Sequence, residues 1–146
     1  MMDYEALPES FQSAIFETIR TKAPYWSLLG MELLDVRKGW AKVRLPFSEK
    51  LLQPYGVVHG GAIFSPADSA IAMALIGMVD KDEIFTTLEM KINYLKPFAS
   101  GVLIAEASII HKGNKTALGD VELRNGHGDL VAKGLATYMI MKRGSA

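Results

Sequence analysis

The chain has 146 residues, 49% of them hydrophobic, with 16 basic and 16 acidic side chains and a formal net charge of zero. That is enough apolar mass for the core of one domain, and the lack of a basic excess argues against a nucleic-acid partner. No cysteine is present, which excludes disulfides, thiolate metal sites and a cysteine nucleophile.

The opening residues, MMDYEALPES, are acidic and hold no apolar run, so no secretory signal is expected and the cytoplasm is the default location. Residues 8–22 set Phe11, Ala14, Ile15, Thr18 and Ile19 at helical spacing, with Pro8 near the start. This predicts an amphipathic helix that lies as a lid on the edge of a sheet. APYWSLLG then reads as a connector in which Tyr25 and Trp26 pack. Two strands are expected at 31–36 and 39–47, turned by Arg37, Lys38 and Gly39. In the second, Ala41, Val43 and Leu45 alternate with Lys42 and Arg44, one face to core and one to water.

A loop, SEKLLQPYGVV, leads to His59, Gly60 and Gly61, and from Ala62 to Val79 almost every residue is Ala, Ile, Met, Leu, Phe, Ser or Gly. Such a helix is apolar around most of its circumference, as a buried central helix must be. Ser65, Pro66, Asp68 and Ser69 break the run below the roughly 18 apolar residues of a membrane span, so no membrane is expected. Pro66 is expected in the first turns, where a missing amide costs little. Beyond the helix, TTLEMKINYLKP (86–97) alternates Leu88, Met90, Ile92 and Tyr94 with Thr87, Glu89, Lys91 and Asn93, a strand signature. Three further strands follow, parted by KGNK and RNGHGD turns with Gly or Asn for positive φ, and rich enough in apolar residues to suggest burial on both faces. No repeat or linker interrupts residues 1–146, which read as a single domain with an N-terminal helix at about 8–22 and a core at about 30–142.

The chemistry gathers at the central helix. Its entrance, His59-Gly60-Gly61, presents free backbone N–H groups and the positive end of the helix dipole, and glycine lets a ligand approach closely. A carbonyl oxygen becoming an oxyanion is one candidate guest, with Asp68 as acid, base or nucleophile. The plain alternatives are that the glycines serve only turn geometry and that Asp68 only complements the dipole. Gly60 and Asp68 stand eight positions apart, roughly 12 Å on one helix at about 1.5 Å per residue. If both act on one substrate, the site is shared between two chains, and a symmetric dimer follows.

Helix, two strands, a long apolar helix and four strands in antiparallel succession make an α+β protein. A lone long helix must be wrapped by the sheet, the architecture of the hotdog fold. The string Gln53-Pro54-Tyr55-Gly56-Val57-Val58-His59-Gly60-Gly61, with Asp68 nine residues past the histidine and TTLEMKINYLKP beyond it, resembles the hotdog thioesterases of the phenylacetate-degradation (PaaI-like) type over about residues 30–142. The resemblance implies hydrolysis of acyl-CoA or aryl-CoA thioesters in a homodimer that pairs into a dimer-of-dimers. No metal or other cofactor and no nucleophilic serine is implied, coenzyme A being part of the substrate.

Carried over by position, the Gly60 amide polarises the thioester carbonyl, and Asp68 of the partner chain activates water or attacks. His59 orients the loop near the thiol side, and Thr87 helps hold the attacking water. Gln53 departs from the Asn common in metal-free relatives and resembles the hydroxybenzoyl-CoA branch, which pairs Gln with Glu rather than Asp, so the substrate class stays open. Gly61, Lys96, the turn Lys112-Gly113-Asn114-Lys115-Thr116 and Arg143 fall where relatives meet the substrate's nucleotide phosphates and pantetheine, though each charge also reads as ordinary solvated surface. Ser65 and Ser69 lack the GxSxG context of a hydrolase elbow and read as packing. His111 and His127 fall in expected turns without ligand spacing, so no metal site is expected. A non-catalytic acyl-CoA-binding module and a hotdog dehydratase or hydratase are the alternative functions.

Overall fold

The computed structural model describes residues 3–144. Its elements run α1 (Glu9–Lys22), α2 (Pro24–Leu29), β1 (Glu32–Arg37), β2 (Trp40–Pro46), a 3-10 turn (Glu49–Leu51), α3 (Gly60–Ile76), β3 (Glu83–Tyr94), β4 (Val102–Lys112), β5 (Thr116–Arg124) and β6 (Leu130–Lys142). The six strands form one antiparallel sheet in the order β1-β2-β4-β5-β6-β3. After β2 the chain crosses the sheet as α3, adds β3 at the far edge, and returns to lay β4 against β2.

α3 is the axle of the fold. Ala67, Ala70, Ile71, Ala74 and Leu75 are fully buried, in one cluster with Val43, Leu45, Leu103, Val121 and Leu123 of the sheet. Gly119 permits the close approach, because a Cβ there would stand 2.5 Å from Ile71 Cγ2. Among the described residues no helix is long and apolar enough to cross a membrane.

Several expectations are corrected by this packing. The inner row of α1 is Gln12, Ile15, Phe16 and Ile19 rather than Phe11, Ala14, Ile15, Thr18 and Ile19; Phe11 is 40% exposed. Gln12 turns inward because it donates through Nε2 to the Val36 carbonyl of β1 at 3.2 Å, an edge strand that a polar lid residue can partner. The expected connector after α1 is the short helix α2, with Pro24 at its first position and Gly30 in the left-handed conformation (φ 78°) closing it. Trp26 is buried, but Tyr25 is 53% exposed.

The central helix begins at Gly60 and ends at Ile76 instead of spanning 62–79. Pro66 is therefore its seventh residue, past the first turn, and the Ala62 carbonyl lacks the usual donor four residues on. β4, β5 and β6 bury one face, not both. The helix covers only the concave side. The other face carries charges such as the Lys133 ammonium, 2.7 Å from Asp120 and 3.3 Å from Glu122. No residue of the KGNK turn has positive φ; the turn is closed by Gly113 N–H donating to the Thr116 carbonyl at 2.8 Å, whereas Gly128 (φ 84°) serves the second turn as expected.

β3 runs three residues earlier than expected at both ends. Leu95 and Lys96 both donate their N–H groups to Val131 O, at 2.8 and 3.2 Å, and the ladder stops before Pro97, which has no N–H. Within the strand the register slips between Thr87 and Glu89. The bulge exposes both Leu88 and Glu89, so Phe85 and Thr87 turn inward before it and Met90 and Ile92 after it. Strict alternation, by contrast, places Thr87 and Met90 on opposite faces.

Candidate active site

At the entrance to α3, His59 is the N-cap. Its Nδ1 accepts the Gly61 N–H at 2.8 Å, and its backbone carbonyl takes the amides of Ala62 and Ile63. The acceptor role leaves the imidazole proton on Nε2. Gly61 suits the cap, since a Cβ there would lie 3.0 Å from that nitrogen and the imidazole would have to give way. Gly60 has a different reason: a Cβ would meet the Tyr94 ring at 3.2 Å, and the Tyr94 hydroxyl donates to the Gly60 carbonyl at 2.8 Å. Partial burial pushes the Tyr94 phenol up from its ordinary value, so it stays a donor. No acid stands in the first turn. Among the described residues nothing accepts the Gly60 N–H, which leaves one donor at the positive end of the dipole.

Two turns further along, half-buried Asp68 meets two strands. Thr87 and Tyr138 are cross-strand partners in β3 and β6, so their side chains stand together beneath the helix. Thr87 Oγ1 donates to Asp68 Oδ1 at 3.0 Å, and the Tyr138 hydroxyl shares its proton between that same oxygen and the Asp68 backbone carbonyl, 2.8 Å away. Tyr138 is 2% exposed, its ring set edge-on to Phe85. Burial first, then the charge of Asp68 and the hydrogen bond to it, pushes the phenol far above its ordinary range. A bond of this kind to a charged group is worth about 1.5–3 kcal/mol. From the sequence alone Tyr138 and Tyr94 read as core or strand face, and only the fold brings each to the helix.

The other predicted residues are placed less compactly. Gln53 turns into its own loop, where Oε1 accepts the Tyr55 N–H. Lys96 lies at the entrance end of the sheet, paired with Asp129 at 3.0 Å. The hairpin holding Gly113, Asn114, Lys115 and Thr116 lies at the opposite end, where Lys115 O accepts Ile140 N–H and Arg143 N–H donates to Asp82 O. One chain therefore does not gather these groups into one patch. Ser65 Oγ donates to Gly61 O at 2.9 Å and accepts from Tyr25 at 2.7 Å, tying α2 to the helix entrance. His111 is in strand β4 rather than a turn, and among the described residues no three His, Asp or Glu side chains converge as a metal-ligand set.

A six-stranded antiparallel sheet wrapped around one helix, with an acid inside and a glycine entrance, defines a hotdog-fold protein. The chain matches the thioesterase superfamily over residues 55–132 and belongs to it. It is similar to the 1,4-dihydroxy-2-naphthoyl-CoA hydrolase of Listeria monocytogenes, 30% identical over 115 residues that cover 79% of this chain and 94% of that one. Among solved structures it resembles the conserved protein PA5202 of Pseudomonas aeruginosa, at 36% identity and TM-score 0.77 over 80% of this chain and 93% of that one. The E. coli PaaI protein of the phenylacetic acid degradation operon shares the fold, at 24% identity and TM-score 0.83 over 93% and 98% of the two chains.

Proposed function

We propose that the protein hydrolyses acyl-CoA or aryl-CoA thioesters to the free acid and coenzyme A. The observation that carries this reading is the pairing, on one helix, of an unaccepted Gly60 N–H with an Asp68 carboxylate held on a single oxygen. Membership of the thioesterase superfamily and the likeness to a CoA hydrolase support it. The thioester oxygen accepts the Gly60 N–H at the positive end of the dipole. Asp68 takes a proton from water as the water oxygen bonds to the carbonyl carbon, and the C=O pair moves onto the held oxygen. Collapse re-forms the carbonyl and breaks the C–S bond, and the thiolate receives the proton. Direct attack by Asp68 uses the same geometry, through an anhydride that water then opens. Thr87, its proton committed to Asp68, keeps lone pairs to accept from that water, and His59 stands at the thiol side. In this reading no metal or further cofactor takes part.

Gly60 and Asp68 lie roughly 12 Å apart along α3, so each site draws on two chains. The free edge of β3 supports this arrangement. Tyr94 marks Gly60 and Thr87 marks Asp68 on the same strand. Antiparallel pairing of two β3 strands about an axis near Met90 and Lys91 sets Tyr94 of one copy opposite Thr87 of the other. The same axis brings the Lys96 end of one copy to the end of the other that holds Arg143 and the Gly113-Asn114-Lys115-Thr116 hairpin. Coenzyme A lies across that junction, with Gly61 and Gln53 at its reacting end, and two such dimers associate into a tetramer.

A thiol-release assay over short, medium, long and aromatic acyl-CoAs tests the activity, since a binding module would take substrate without releasing thiol. Asp68→Asn, whose amide oxygen still accepts from Thr87 and Tyr138, should remain folded and lose more than tenfold in kcat/KM, over about 1.4 kcal/mol. Retention of more than about a tenth removes Asp68 from the reaction.

A further inference from the structure

Asp68 has two carboxylate oxygens, and the fold treats them unequally. Both side-chain donors, Thr87 from β3 and Tyr138 from β6, end on Oδ1; among the described residues nothing donates to Oδ2. An oxygen has two lone pairs suited to hydrogen bonding, so Oδ1 is saturated and Oδ2 is open. We propose that Tyr138 is a positioning residue, whose phenol locks the Asp68 carboxylate so that Oδ2 alone takes the water proton or attacks the thioester.

This inference rests on the reading of Asp68 as the reacting carboxylate. One donor would leave the carboxylate free to turn about its side-chain bonds; a second donor from a different strand fixes its plane. Tyr138 is suited to that task because it holds the helix backbone and the side chain of the same residue at once, through the Asp68 carbonyl and Oδ1. Its ring cannot move aside, being buried and set against Phe85 at 6.0 Å between centroids. With the phenol held protonated, it orients the carboxylate without competing as a base.

The test compares wild type, Tyr138→Phe, Thr87→Val, the double variant and Asp68→Asn on the best substrate from the thiol-release assay. Tyr138→Phe keeps the ring and its packing. It should lower kcat about tenfold or more while KM changes less than about twofold, the pattern of an interaction that matters in the transition state. Because both donors act on one oxygen as a unit, the double variant should fall barely below the weaker single variant. If Asp68→Asn is inactive but Tyr138→Phe stays within about twofold of wild-type kcat, the positioning role is overturned and Asp68 stands. If Asp68→Asn remains active, the reading of Asp68 falls, and the role of Tyr138 with it. A rise in KM with kcat unchanged would make Tyr138 a substrate contact and overturn the proposal. Should Tyr138→Phe not fold, tyrosine Cζ labelling decides: one of the five tyrosines must shift its carbon signal when Asp68 becomes Asn, and no shift overturns the contact.

Discussion

The helix entrance and the Asp68 pocket belong to the same helix and are built in opposite ways. At the entrance the cap reaches only from His59 to Gly61, two positions on, and one backbone donor is left over. At Asp68 the partners come from 19 and 70 positions away, and both donors are used on one oxygen. A local motif can expose a backbone group, because the helix end supplies it without help. Orienting a carboxylate inside a core needs fixed neighbours on two strands, which no local stretch provides.

The strongest way to break this comparison is to separate its halves onto different chains. Asp68→Ala keeps the entrance intact. Gly60→Pro deletes its amide, and proline suits the first helical position after His59 at φ −57° and ψ 137°, although the Tyr94 ring must yield slightly. Each variant alone should be inactive. After random subunit exchange about half the dimers are mixed, each with one whole site, so activity should return to roughly a quarter of wild-type sites. Folded variants that exchange subunits without regaining activity would remove the shared site.

A smaller effect sharpens the pocket half. Tyr138 has a raised folded-state pKa, so its contribution to stability is fully present below the unfolded phenol value, about 10, and is lost as pH rises above it. In urea unfolding above about pH 10, wild type should lose up to about 1.4 kcal/mol per pH unit more than Tyr138→Phe. Parallel curves would mean that the phenol is not held as described. The entrance should answer more weakly still. His59→Ala removes a cap and should cost about 1 kcal/mol at neutral pH, read from the urea midpoint, while leaving the alkaline behaviour of Tyr138 unchanged. A change in both would show that the two ends are coupled.

Much of the architecture was legible because it rests on short-range rules. The apolar circumference of residues 62–79 required a sheet around it, the single acid among its first turns stood out, and the two glycines after His59 marked the helix entrance. The resemblance pointed to Thr87, yet period-two alternation set it away from Met90, and only the bulge at Leu88 turns both inward. Tyr138 sits in the run TYMIM, where a tyrosine looks like one more core residue; its role depends on β6 lying beside β3, a pairing between distant segments. The same holds for Tyr94 against Gly60 and for the separation of Lys96 from the Arg143 end. Periodicity and capping are written in neighbouring residues, so they survive in the chain alone. Which strand lies beside which, where a register slips, and which oxygen of Asp68 is left open depend on packing among residues far apart in sequence, so only the folded molecule decides them.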